Sequence, residues 1–199
     1  IVHISRIHFK DGRAADLGAA IRKDNGTLTL ESCIFSGNRT TAAAAQGGAI
    51  YNATGNLMVR GCTFYDNTTG SNSGGAIRSG GGTVTISGNL FFGSTSTSGL
   101  AVANAVSNGF NVVDRAFGTA AGTAGWTAVT GDVQFNGIGF ANNTTLPFTN
   151  NSTSGADAFV PLGTGTLRTH VPASAGATMP AVDFYGNART WPGAPGAVR

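Results

Sequence analysis

Charge is scarce in this sequence. Only 11% of its 199 residues are Asp, Glu, Lys or Arg, and the net charge of +3 is spread along the chain. Nucleic-acid binders carry a concentrated basic cluster, and none occurs here. Long apolar runs are missing too. No run approaches the ~18–20 residues that a membrane helix needs, which excludes a helical membrane span. Two cysteines allow at most one disulfide and give no zinc-type spacing. His3, His8 and His170 are scattered and match no metal-ligand spacing. The usual helix formers do not occur in long stretches, so a helical fold is excluded as well. The sequence begins at Ile1 with no signal-peptide pattern, as expected of a processed product or a fragment.

What the chain has instead is glycine, 31 of them, with Thr, Ser and Asn, and 41% hydrophobic residues. That hydrophobic content exceeds a disordered composition, and the mixture favours strands and tight turns. The length suffices for one sizeable domain.

The apolar residues recur at a fixed period. Four segments share one template: Val2-His3-Ile4-Ser5-Arg6-Ile7-His8-Phe9, Leu28-Thr29-Leu30-Glu31-Ser32-Cys33-Ile34-Phe35, Leu57-Met58-Val59-Arg60-Gly61-Cys62-Thr63-Phe64 and Val84-Thr85-Ile86-Ser87-Gly88-Asn89-Leu90-Phe91. Each is apolar at its first and third positions and ends on Phe. A turn-type residue follows three places later: Gly12, Asn38, Asn67 and Ser94. The segments start 26, 29 and 27 residues apart, and a fifth is expected at Phe110-Asn111-Val112. Between them lies a second signature: Gly18-Ala19-Ala20-Ile21, Gly47-Gly48-Ala49-Ile50, Gly74-Gly75-Ala76-Ile77 and Gly99-Leu100-Ala101-Val102.

A repeat of this length with short alternating strands specifies a solenoid. One coil cannot bury its own apolar face, but stacked coils share a continuous core. Phe9, Phe35, Phe64 and Phe91 are expected to form one interior column. Ile21, Ile50, Ile77 and Val102 are expected to form another. Asn38 and Asn67 are placed at corners in left-handed conformation, and residues 41–45 and 68–73 are placed in loops. The Asn-x-Ser/Thr triplets at Asn25, Asn38, Asn52, Asn67, Asn142, Asn143, Asn150 and Asn151 are read as exposed loops. The fold class expected is all-β: a right-handed parallel β-helix of about four to five coils over residues 1–113. An irregular β/loop region, 114–199, would cap or cover it.

The alternation of Gly-Gly-Ala-Ile with Phe-Ser-Gly-Asn (35–38) and Phe-Tyr-Asp-Asn (64–67) resembles the GGAI and FxxN repeats of chlamydial polymorphic outer-membrane proteins. It also resembles the wider class of bacterial parallel β-helix repeat proteins. Ser107-Asn108-Gly109-Phe110-Asn111-Val112-Val113-Asp114 resembles the segment that closes the coils in bacterial choice-of-anchor Q proteins. Asp183-Phe184-Tyr185-Gly186-Asn187-Ala188-Arg189, with the closing Gly196-Ala197, is similar to that family's D-x-x-G-x-x-R … GA ending. The acidic residues that flank the final GA there are replaced by Pro195 and Arg199. The resemblance implies an extracellular or bacterial cell-surface protein.

Candidate chemistry is sparse. Cys33 and Cys62 share a column with Ile7 and Asn89, at an expected Cα separation of about 4.8 Å. Parallel side chains set their Cβ atoms slightly too far apart for a relaxed disulfide, so two buried thiols are expected. Glu31 and Arg60 should pair across coils. Asp11 and Asp66 share a column but are separated by Gly37, which argues against a carboxylate pair. Arg22, Tyr51 and Arg78 form an outward stripe, an aromatic platform between two cations, and are the residues picked for glycan binding. The column His3, Thr29, Met58, Thr85 breaks the threonine ladder that ice binding would need. No nucleophile–base constellation and no phosphate loop is present, so no catalytic residue, metal or cofactor is expected. A non-enzymatic structural, adhesive or filament-forming protein is expected, with head-to-tail self-association through an uncapped N-terminal rung. The alternative is a carbohydrate-binding or polysaccharide-cleaving β-helix.

Overall fold

The computed structural model describes residues 1–71, 74–119, 123–134, 171–172, 174, 179–189 and 196. Among these the regular structure is almost entirely strand. The first coil holds β1 (Val2–Ser5), β2 (His8–Lys10), β3 (Arg13–Ala14) and β4 (Ile21–Lys23). The second holds β5 (Thr27–Glu31), β6 (Ile34–Ser36), β7 (Arg39–Thr40) and β8 (Ile50–Asn52). The third holds β9 (Asn56–Arg60), β10 (Thr63–Tyr65), β11 (Thr68–Thr69) and β12 (Ile77–Ser79). The fourth holds β13 (Thr83–Ser87), β14 (Leu90–Phe92) and β15 (Val102–Ala103), and β16 (Val106–Ser107), β17 (Val112–Val113) and β18 (Val133–Gln134) follow.

Each strand pairs, parallel, with its counterpart one coil on. The first sheet runs β1-β5-β9-β13-β16, the second β2-β6-β10-β14-β17-β18, the third β3-β7-β11 and the fourth β4-β8-β12-β15. The chain is therefore a parallel β-solenoid of about four coils. The register follows from the apolar alternation, since a one-residue slip would turn Leu28 and Leu30 out of the core.

Inside, Phe9, Phe35, Phe64 and Phe91 stack with centroids 4.9, 4.8 and 4.9 Å apart and planes within 12°. Ile21, Ile50, Ile77 and Val102 lie in register on the fourth sheet. All of these except Phe9 and Ile21, which belong to the end coil, are fully buried.

At three corners of every coil stands a left-handed residue. The first corner has Arg6, Ser32, Gly61 and Gly88, and the second has Asp11, Gly37, Asp66 and Gly93. The third has Gly18, Gly47, Gly74 and Gly99. There glycine is required, because a Cβ on Gly47 would lie 2.1 Å from the Ile50 carbonyl oxygen.

Asn38 and Asn67 are at the second corner, but they are not its left-handed residues; Gly37 and Asp66 are. Their side chains point inward and bridge coils. Asn67 Oδ1 accepts from the Asn38 backbone N–H at 3.1 Å, and Asn67 Nδ2 donates to the Phe35 carbonyl at 2.9 Å. Asn38 repeats the pattern with Gly12 and Phe9. A second inner ladder runs Cys33, Cys62, Asn89, Asn111 and Asp132. These bonds satisfy buried backbone groups that a corner takes out of the sheet ladders. The reading of the Asn-x-Ser/Thr triplets as exposed loops is corrected for Asn38, Asn52 and Asn67, which are fully buried. Thr68–Thr69 is likewise a strand, not a loop.

The fifth turn begins earlier than its expected start at Phe110. Val106 pairs with Thr85, and Val112 pairs with Leu90, 22 positions before it. Shorter corners contract this coil, so a fixed 26-residue step overshoots. Beyond it, Ala124 accepts from Val102 N at 3.0 Å, and Trp126 packs 5.3 Å from Phe91 and 6.0 Å from Phe117. This layer lies over the last coil. Residues 179–189 run along the first corner. Pro180 lies against Gly61, Met179 against Gly88, and the Val182 carbonyl accepts from Ser32 Oγ at 2.7 Å. Phe135, Phe140, Phe148, Phe159 and His170 lie outside the described residues.

Candidate functional site

The fourth sheet places Arg22, Tyr51 and Arg78 side by side, with Ala103 following. Alternation sets these side chains outward because Ile21, Ile50 and Ile77 point in. Both cations already have partners. Arg22 Nε donates to Asp24 Oδ1 at 2.8 Å, and this hydrogen bond and charge raise the guanidinium pKa further. Arg78 Nε donates to Gln46 Oε1 at 3.4 Å. Tyr51 is half-buried and its phenol lies over Gly80, whose Cβ would stand 2.5 Å from the tyrosine oxygen. The stripe can offer a ring and two cations to a ligand. It carries no nucleophile.

The first sheet holds a charged chain on its outer face. Glu31 accepts from Arg60 Nη2 through one carboxylate oxygen, the cross-coil pair expected from the template. Its other oxygen lies 2.9 Å from His3 Nε2. The sequence reading missed His3, which sits two template positions before the Glu31 column and reaches it diagonally. A depression of about 360 Å³ lies here, between His3, Ser5, Arg6, Glu31 and Ser32 on one side and 180–182 on the other.

Cys33 and Cys62 are free and fully buried, and the Cys33 backbone N–H donates to Cys62 Sγ at 3.4 Å. Burial pushes the Cys62 thiol well above its ordinary value, which keeps it protonated and unreactive. Asp114 and Arg115 form a buried pair at 2.9 Å near the last coil, and Asp114 also caps Gly93 N at 2.6 Å. That pair is structural. Lys23 is buried with its amine on Asn52 Oδ1 at 2.7 Å, and desolvation lowers its pKa.

Among the described residues, no group of three or more His, Cys, Asp and Glu could hold a metal ion. No helix among them is long and apolar enough to cross a membrane.

The architecture defines the class: a parallel β-solenoid of the β-helix repeat kind. Compared with protein-family models, with curated proteins and with solved structures, the chain matches none.

Proposed function

We propose that this chain is a non-enzymatic structural module of a bacterial cell-surface or secreted protein, adhesive or self-assembling. The observation that carries this reading is the stack itself: four sheets of parallel, in-register strands around one continuous core make a stiff scaffold that presents repeated outward columns. The resemblance of the GGAI and FxxN repeats to those of surface proteins supports the location.

Head-to-tail contact between such stacks, repeated without closure, gives open filaments. Light scattering and negative-stain microscopy of the 199-residue chain test this. Filaments that lengthen with concentration are expected. Monomers at every concentration would refute self-association.

A second reading, a carbohydrate-binding or polysaccharide-cleaving β-helix, is favoured by the register that sets Tyr51 between Arg22 and Arg78 on an outward face. A glycan array with a uronate-lyase assay tests it, and binding lost in Tyr51→Ala is expected.

A further inference from the structure

A groove of about 260 Å³ opens along the second corner, lined by Asp11, Arg13, Gly37, Arg39, Asp66 and Thr68. Two columns build it. Asp11, Gly37, Asp66 and Gly93 follow one another coil by coil at the corner. Two residues later, the outward column of the third sheet reads Arg13, Arg39 and Thr68 in register. The first column thus alternates a carboxylate with a missing side chain. Asp11 uses the gap: its Oδ1 lies 2.7 Å from where a Cβ of Gly37 would stand. The two carboxylates start two coils apart, about 9.4–9.8 Å between Cα atoms, and this lean brings them closer.

Two acids and two cations balance, yet they do not neutralise one another in pairs. Arg13 Nη1 donates to the carbonyls of Gly12 and Gly37, at 3.1 and 2.5 Å. The carboxylates of Asp11 and Asp66 and the guanidinium of Arg39 have no hydrogen-bond or ion-pair partner among the described residues. The Asp66 carboxyl is also held above its ordinary value by partial desolvation in the groove, against the opposing charge of Arg13. A ligand that fits must bring hydroxyl donors to two separated carboxylates and an anion to Arg39. A bare cation would face two guanidiniums, and a polyphosphate would face two carboxylates.

We propose that this groove binds an acidic sugar chain, a hexuronate oligomer lying across the coils, with one carboxylate forked on Arg39 and ring hydroxyls donating to Asp11 and Asp66. Arginine suits the task because its planar fork matches a carboxylate with two parallel hydrogen bonds. The site is independent of the Arg22–Tyr51–Arg78 stripe, which lies on the fourth sheet.

Isothermal titration of the full chain with trigalacturonate tests the proposal. Cellotriose serves as the neutral control and triglutamate as the anionic control. Saturable binding of trigalacturonate alone is expected, weakened roughly tenfold or more by Arg39→Gln and by Asp66→Asn, since each removes a charged hydrogen bond. Arg60→Gln, on the first sheet, should leave it unchanged, whereas a loss in Tyr51→Ala would move the binding to the fourth-sheet stripe and overturn the groove. Arg39 is exposed on a two-residue strand and Asn tolerates the left-handed backbone at 66, so both variants should fold, as melting curves would confirm. No saturable binding, equal binding of either control, or binding indifferent to Arg39→Gln would each overturn the proposal.

Discussion

Phe64 is the middle ring of the interior column, and its truncation gives a sharp test of the stack. The side chain is fully buried, 4.8 Å from Phe35 and 4.9 Å from Phe91. The near-parallel stacking follows from the spacing of coils, about 4.7–4.9 Å. Near-parallel rings at this centroid distance fall in the favoured range for aromatic pairs, worth about 0.5–1.5 kcal/mol beyond burial, so the cavity sets most of the cost. Phe64→Ala should therefore destabilise by about 3–5 kcal/mol, as large-to-small core truncations do. Phe9 has one ring neighbour, at 4.9 Å, and is only partly buried. Phe9→Ala leaves a site that opens to solvent instead of a closed cavity, and should cost less, about 1–2 kcal/mol by the area rule. Urea unfolding followed by circular dichroism would give both values from midpoint and slope. A cost below about 1 kcal/mol for Phe64→Ala, well under the usual core range, would refute the closed column. Equal costs for the two variants would refute the distinction between end and middle coils.

Three further outcomes are expected. Asn67→Leu leaves the Asn38 N–H and the Phe35 carbonyl without their side-chain partner; at about 1–3 kcal/mol for each buried group it should destabilise more than a surface Asn→Leu control in the same urea assay. Burial lowers the pKa of His8 below its ordinary 6.5, so the folded state binds that proton less readily than the unfolded state. The His8 contribution to stability is then present above 6.5 and is lost as pH falls from 6.5 through the lowered folded value; the melting temperature of wild type should fall more steeply than that of His8→Gln on going from pH 7 to pH 5. Both thiols are buried, and a maleimide should modify Cys33 and Cys62 only in denaturant, which mass spectrometry would read directly; labelling of the native chain would refute the closed interior.

The strands were legible because burial acts on them periodically. Leu28 and Leu30 declare an inward face, and Phe35 and Phe64 declare where a strand ends against the same column, so register follows from counting. The asparagines misled for a physical reason. Propensity treats Asn38 as a local turn former, yet its partners are Phe9 and Gly12, in the preceding coil, and Asn67, in the next. Hydrogen bonds across a repeat leave no mark on local composition. The shortened fifth coil failed in a similar way: the strands at Val106 and Val112 are two residues each, too short for an alternation to be seen. At the surface, the template placed Glu31 beside Arg60 because they share a column. His3 reaches Glu31 across columns, and column counting cannot find such a contact.

The solenoid separates what the fold demands from what it leaves free. Inward columns are nearly uniform, as stacking requires: phenylalanine at one, Ile or Val at another. The third corner is uniform as well, with glycine at Gly18, Gly47, Gly74 and Gly99, where any Cβ on the first three would strike a carbonyl oxygen about 2 Å away. The second corner differs. Its left-handed positions read Asp11, Gly37, Asp66 and Gly93, two residue types alternating where either is sterically admissible. Neither carboxylate has a hydrogen-bond or ion-pair partner among the described residues. Stacking leaves the choice of residue at this corner open, so the two acids are free to serve the ligand proposed for the groove without cost to the core.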